Sequence, residues 1–270
     1  MLSARTNMLA SLRGRIERLE APGETQALNR VALGHAGADA VLRGGLATGS
    51  VHEVFSEGRQ SGAATGLVAG FAGRLSARRP LVWVRQDFCN IESGALSMSG
   101  VGELGLDPRL LVSVRAADVD TALRSAADAL ACDAVGAVVL EVWGEARQLD
   151  LVASRKLTLT AQASGVSCLV LRIAAQPQPS TAETRWMVQA ARSPPAAAFR
   201  PAALGSAWGA PVFDAQLVRN RHGPVGQWIM EWKCDECLFS EPALYPQPVA
   251  AAPADRSHPA AALTLQRRAG

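Results

Sequence analysis

The chain of 270 residues lacks several of the features that define common protein classes. No apolar run approaches the length of a membrane span, so no transmembrane helix and no membrane partner are expected. The first residues carry no apolar stretch of the kind that marks an export signal, and a cytoplasmic location is expected. Cysteines number five, an odd count, and are scattered rather than set in a framework. They read as reduced thiols rather than a disulfide scaffold. Charge of one sign is also scarce: the formal net charge is +3. That permits a nucleic-acid or acidic-protein partner without demanding one. Aromatic residues make up only 5%, yet hydrophobic residues reach 49%, enough for a real core. The length fits one domain of ordinary size with appendages, or two small ones.

The most informative stretch is residues 44–75, GGLATGSVHEVFSEGRQSGAATGLVAGFAGRL. A β-prone run, Ser50-Val51-His52-Glu53-Val54-Phe55, leads into a loop rich in Gly, Ser and Gln. Residues 65–75 then show helical spacing. Strand, glycine loop and helix follow each other in this order in phosphate-binding P-loops. Such a loop works because backbone N–H groups at a helix start face the phosphates, while a Lys reaches the outer phosphates and a hydroxyl holds magnesium. Here Gly58, Ser61, Gly62 and Thr65 keep the outline, but the Lys position is Ala63 and the next is Ala64. The expectation is a degenerate nucleotide-binding loop with no catalytic residue, no metal and no cofactor.

Residues 7–20 place Met8, Leu9, Leu12, Ile16 and Leu19 at helical spacing, with Arg13, Arg15, Glu17 and Arg18 on the other face. Ala21-Pro22-Gly23 ends this amphipathic helix. It either packs on its own domain or docks through Leu9, Leu12 and Ile16 on a partner or a second copy. Residues 29–33 read as a short strand, 38–43 as a helical turn, and Leu81-Val82-Trp83-Val84 as a buried strand closed by Asp87. Residues 118–132 form an amphipathic helix with Asp118 as its cap. The apolar strand 137–143 has one polar exception, Glu141, which is costly to bury unless paired. A helix over 149–164 carries Leu151, Val152, Leu157 and Leu159 among Arg155, Lys156 and Gln162, and a strand over 166–173 follows. This alternation predicts an α/β fold, a mostly parallel central sheet flanked by helices.

Residues 183–188, 212–220 and 227–232 add strands, the last two joined at His222-Gly223-Pro224 as an antiparallel hairpin. Arg219 and Arg221 stand at that turn with no acidic residue beside them in the sequence. They suit a DNA phosphate or an acidic partner surface, or simply solubilise the tip. Cys234 and Cys237 form a lone C-x-x-C, weak as a zinc or redox signal. Residues 192–209, rich in Ala and Pro, read as a mobile loop, and the chain after Glu241 as a disordered tail. The division is thus an N-terminal helical arm (1–24), a core domain (25–240) and a Pro/Ala-rich tail (241–270).

Several of these motifs together resemble the ATP-binding core of RecA-type recombinases. They are Gly44-Gly45-Leu46-Ala47-Thr48-Gly49, Glu53-Val54-Phe55, Ser61-Gly62-Ala63-Ala64-Thr65, the Leu104-Gly105-Leu106-Asp107-Pro108 turn, Arg155-Lys156-Leu157 and Glu183-Thr184-Arg185-Trp186. The loop between Phe55 and Gly62 is one residue longer than in that family. The wording GGL-x-x-G-x-x-HEV is similar to the ImuA-like damage-inducible mutagenesis proteins, which resemble RecA with a degenerate ATP site. The resemblance runs over about residues 25–235. It implies a RecA-like core, Glu141 at the Walker B position and Asp87 where the family carries the carboxylate that activates water. It also implies a non-catalytic accessory role in SOS-inducible, error-prone translesion synthesis. The partners it implies are RecA, an inactive Y-family polymerase-like protein and an error-prone replicative-type polymerase. Two other classes stand beside this one: a RecA-class DNA-dependent ATPase, which needs the missing Lys, and a SulA-type cell-division inhibitor, usually a shorter chain.

Overall fold

The computed structural model describes residues 29–193 and 209–242. The amphipathic segment 7–20, most of the Ala/Pro-rich loop and nearly all of the tail lie outside the described residues. The first elements are β1 (Arg30–Val31), α1 (Ala36–Val41), β2 (Leu46–Ala47), β3 (Val51–Ser56), a 3-10 turn (Gly58–Gln60) and α2 (Ser61–Ser76). Next come β4 (Leu81–Gln86), α3 (Asp87–Ser93), α4 (Met98–Glu103), β5 (Leu111–Ala116), α5 (Val119–Leu130) and β6 (Ala137–Trp143). The described part ends with α6 (Leu151–Ser164), β7 (Ser167–Ile173), β8 (Thr184–Ala190), β9 (Val212–Asn220), β10 (Gly226–Lys233) and β11 (Leu238–Ser240).

Nine strands form one sheet in the order β11-β10-β9-β8-β3-β7-β6-β4-β5. From β8 to β5 all neighbours are parallel, and β9, β10 and β11 are antiparallel. The protein is therefore α/β, with a large mostly parallel sheet ending in antiparallel strands. The central strands are apolar on both faces because helices cover both. Leu81, Trp83, Val139, Leu171 and Trp186 point to α2, while Val82, Val84, Leu140 and Val170 point to α5 and α6.

Local chemistry sets the helix ends. Asp118 accepts from the Thr121 amide at 2.7 Å and Asp150 from the Ala153 amide at 2.8 Å, so both helices start on a carboxylate cap. Gly165 ends α6 at φ 76°, a left-handed conformation that glycine adopts without a Cβ penalty.

Three expectations are corrected. The strand expected over 29–33 shrinks to two residues paired with β2, because the Leu33 and Gly34 amides turn to the Asp39 carboxylate at 2.8 Å each and start α1. The helix expected from residue 65 begins at Ser61, directly after the 3-10 turn Gly58–Gln60. Beyond the expected hairpin a third antiparallel strand, β11, pairs with β10; the C-x-x-C forms the turn between them.

Candidate functional site

Strand β3 delivers the chain to the carboxyl edge of the parallel sheet, where open α/β sheets bind ligands. A cavity of about 520 Å³ opens there, lined by Ser61, Gly62, Ala63 and Thr65 of α2. Trp83 and Arg85 of β4 form its floor, and the α3–α4 connection and the ends of β8 and β9 close the sides. Of the loop residues singled out in the sequence, these four reach the cavity. Ala64 is fully buried in the core, and Gly58 packs under the Trp143 ring. Neither Gly58 nor Gly62 has positive φ, so the glycines supply room rather than left-handed backbone. No side chain caps the start of α2: Gln60 at the cap position turns its Oε1 to accept from the Ala190 amide at 2.9 Å.

Arg85 is the one charged side chain on the cavity wall among the described residues, and it is spent on the protein. Its Nε lies 2.9 Å from Glu141 Oε2. One terminal nitrogen donates to Asn90 Oδ1 and the Gly94 carbonyl, both at 2.5 Å, and the other to Ser93 Oγ at 2.8 Å. Register explains the meeting: Arg85 pairs with Glu141 across the parallel β4–β6 ladder, and both project to the α2 side. Glu141 is 0% exposed and also accepts from the Trp83 indole at 2.8 Å. The Nε–Oε2 contact is an ion pair rather than a well-directed hydrogen bond, and Glu141 Oε1 has no protein partner. Beneath it Cys89 is buried; desolvation, then the Glu141 charge, push its thiol up to about 12.

Asp87 does not join this group. It opens α3, is half-exposed, and accepts from Arg115 Nε at 2.9 Å outside the cavity. Arg219 and Arg221 are on a different part of the molecule, at the β9–β10 turn. The turn is not free of acid: Glu183 accepts from His222 Nδ1 at 2.7 Å and, through its carbonyl, from the Arg221 amide at 2.9 Å. Arg219 donates to the Ser180 carbonyl at 2.8 Å, and only Arg221 is exposed. The absence of an acidic neighbour in sequence misled because the antiparallel pairing of β8 with β9, Thr184 opposite Asn220, brings Glu183, the residue before β8, to the turn. On the α5–α6 side, Glu53 and Arg185 form a second buried pair at 2.7 Å beside the Phe55 ring. At the C-x-x-C turn, Cys237 Sγ donates to the Gly105 carbonyl at 3.3 Å. Burial raises the Cys234 thiol above its ordinary range.

The residues that sequence reasoning missed are Arg85 and Trp83. The signal was present: in Leu81-Val82-Trp83-Val84-Arg85 a charge sits two residues after an inward Trp, on the same face of a buried strand. A charge there demands a partner. Among family models none matches the chain, and among curated proteins none matches it either. No described helix is long and apolar enough to cross a membrane.

Proposed function

We propose that this protein is a non-catalytic RecA-like accessory factor in SOS-inducible, error-prone translesion synthesis. It would work by binding RecA, an inactive Y-family polymerase-like protein and an error-prone replicative-type polymerase. The biological role rests on the motif resemblance. The observation that supports a non-catalytic core is the Arg85–Glu141–Trp83 group. At the Walker B position a carboxylate would have to face water and magnesium. Glu141 instead faces a guanidinium and an indole and is sealed from solvent. The start of α2 still offers backbone donors to the cavity, but no lysine follows Gly62 to reach a phosphate. A cleft of this size, walled by Trp83, Leu96, Val101 and Phe213, suits an apolar group of a partner better than a triphosphate.

The test is a pull-down of the purified chain against RecA and the two polymerase-type partners, with and without ATP. Retention of at least one partner independently of ATP is expected. DNA-stimulated ATP turnover at stoichiometric rates would overturn the reading in favour of a RecA-class ATPase. Binding to a tubulin-like division protein instead would favour the SulA-type alternative.

A further inference from the structure

The face formed by α5 and α6 carries charge of both signs in an ordered pattern. Both helices connect parallel strands across the same side of the sheet, so they run parallel to each other. A groove of about 300 Å³ lies between them, with Leu123, Ala127, Val152 and Leu157 among its walls. Val152 is 75% exposed, and Leu151 beside it 51%.

Acid stands at one level of this groove and base further along it. Asp120 lies in the first turn of α5, and Asp150 caps α6. The two share a level, because Gln148 Nε2 donates to Asp120 Oδ2 at 3.4 Å. Arg124 follows Asp120 by four residues, about 6 Å along the helix axis, and Lys156 follows Asp150 by six, about 9 Å. All four line the groove, and none makes an ion pair among the described residues. A partner of one sign meets like charge at one of the two levels. A second copy of the same face, turned end for end, meets opposite charge at both. The two-fold axis then passes midway between acid and base, near residues 122 and 153. That brings the apolar Leu123 and Val152 against their own copies, where water is excluded.

We propose that the α5–α6 face is the interface of a symmetric homodimer, with Asp120 and Asp150 of each chain set against Arg124 and Lys156 of the other. The inference does not rest on the function proposed above. The face lies across the sheet from the cavity at the start of α2, so both can be occupied at once.

Sedimentation velocity of the full chain, from about 1 to about 200 µM, tests this. The expected result is a shift with concentration from 28.3 kDa to twice that mass, with no larger species, because a two-fold contact closes on itself. Two variants reverse the charge. Arg124→Glu with Lys156→Glu makes the groove acidic throughout, and Asp120→Lys with Gln148→Lys makes it mainly basic; Asp150 is kept because it caps α6. Each variant alone should dimerise at least about tenfold more weakly than the unaltered chain, and an equimolar mixture should regain dimer to within about threefold. Recovery on mixing also shows that both variants are folded. Val152→Asp, at an exposed position outside the core, should by itself abolish the dimer. An unaltered chain that stays at 28.3 kDa throughout would overturn the proposal. Open-ended larger assemblies would overturn it too, and so would a dimer that Val152→Asp leaves at full strength, since either places the contact elsewhere. Failure of the mixture to associate, with both variants keeping the circular dichroism of the unaltered chain, would refute the charge pairing.

Discussion

Replacing Arg85 by Met tests the central structural claim most directly. The methionine introduced is nearly as long and is apolar, so no large cavity opens, and the cost falls on the charges. Glu141 would remain fully buried with only the Trp83 indole as partner, and its Oε1 is unpartnered already. Breaking a buried ion pair on one side costs about 3–5 kcal/mol, because the remaining charge is uncompensated. The contacts to Asn90, Ser93 and Gly94 go as well, and these tie α3 to the sheet. Glu141→Gln leaves the opposite orphan, a buried guanidinium, at a comparable cost. The double variant leaves neither charge, so its loss should fall at least 2 kcal/mol short of the sum of the singles. Urea denaturation of the four proteins, followed by far-ultraviolet circular dichroism, measures this cycle. Singles that cost under 1 kcal/mol each, or a strictly additive double, would refute the buried pair. The same variants bear on function: in an ATPase, Glu141→Gln would abolish turnover, whereas here no DNA-stimulated turnover is expected from any of the four.

Three further outcomes are expected. His52 is fully buried between Thr184 and the Ala47 carbonyl, and desolvation holds its imidazole below the ordinary 6.5. A lowered folded value means that stability is present above pH 6.5 and is lost as pH falls below it, by up to about 1.4 kcal/mol per pH unit. The melting temperature should therefore fall from pH 7 to pH 5, and His52→Gln should flatten that slope; an unchanged slope would count against it. Burial pushes the Cys168 and Cys89 thiols up to about 12, while Cys132 is exposed. A thiol reagent at pH 8 should label Cys132 within minutes and reach Cys89 and Cys168 only after denaturation, and rapid labelling of Cys168 in the native protein would contradict its placement. Arg221→Ala at the hairpin tip should leave stability within 0.5 kcal/mol, whereas Arg219→Ala loses a bond to Ser180 and should cost about 1 kcal/mol, both read by thermal melts. If either arginine meets DNA phosphate, salt-dependent binding should flatten by about one unit of slope for that substitution, and an unchanged slope assigns the tip to folding alone.

The sequence by itself determined the order and nature of most elements, because their cues are local. Apolar runs at 81–84, 137–143 and 166–173 needed burial on both faces, which dictated a parallel sheet between helix layers. Asp118 carried its helix boundary in its own capping chemistry, and the lack of a lysine after Gly62 was plain in the text of the chain. What only the tertiary structure decided depends on register between distant strands. Glu141 reads in sequence as an acid that is costly to bury unless paired, and the sequence does not name the partner. Its fate was set when β4 paired with β6 in a register that places Arg85 beside it. Glu183 reached the hairpin tip, and Asp87 left the cavity for Arg115, for the same reason. The exposure of Val152 and Leu159 was equally invisible: helical spacing marks an apolar stripe, but only packing shows that α6 turns Leu157 inward and leaves the others facing out. Periodicity reports what a segment can bury; pairing across the sheet decides which charge meets which partner.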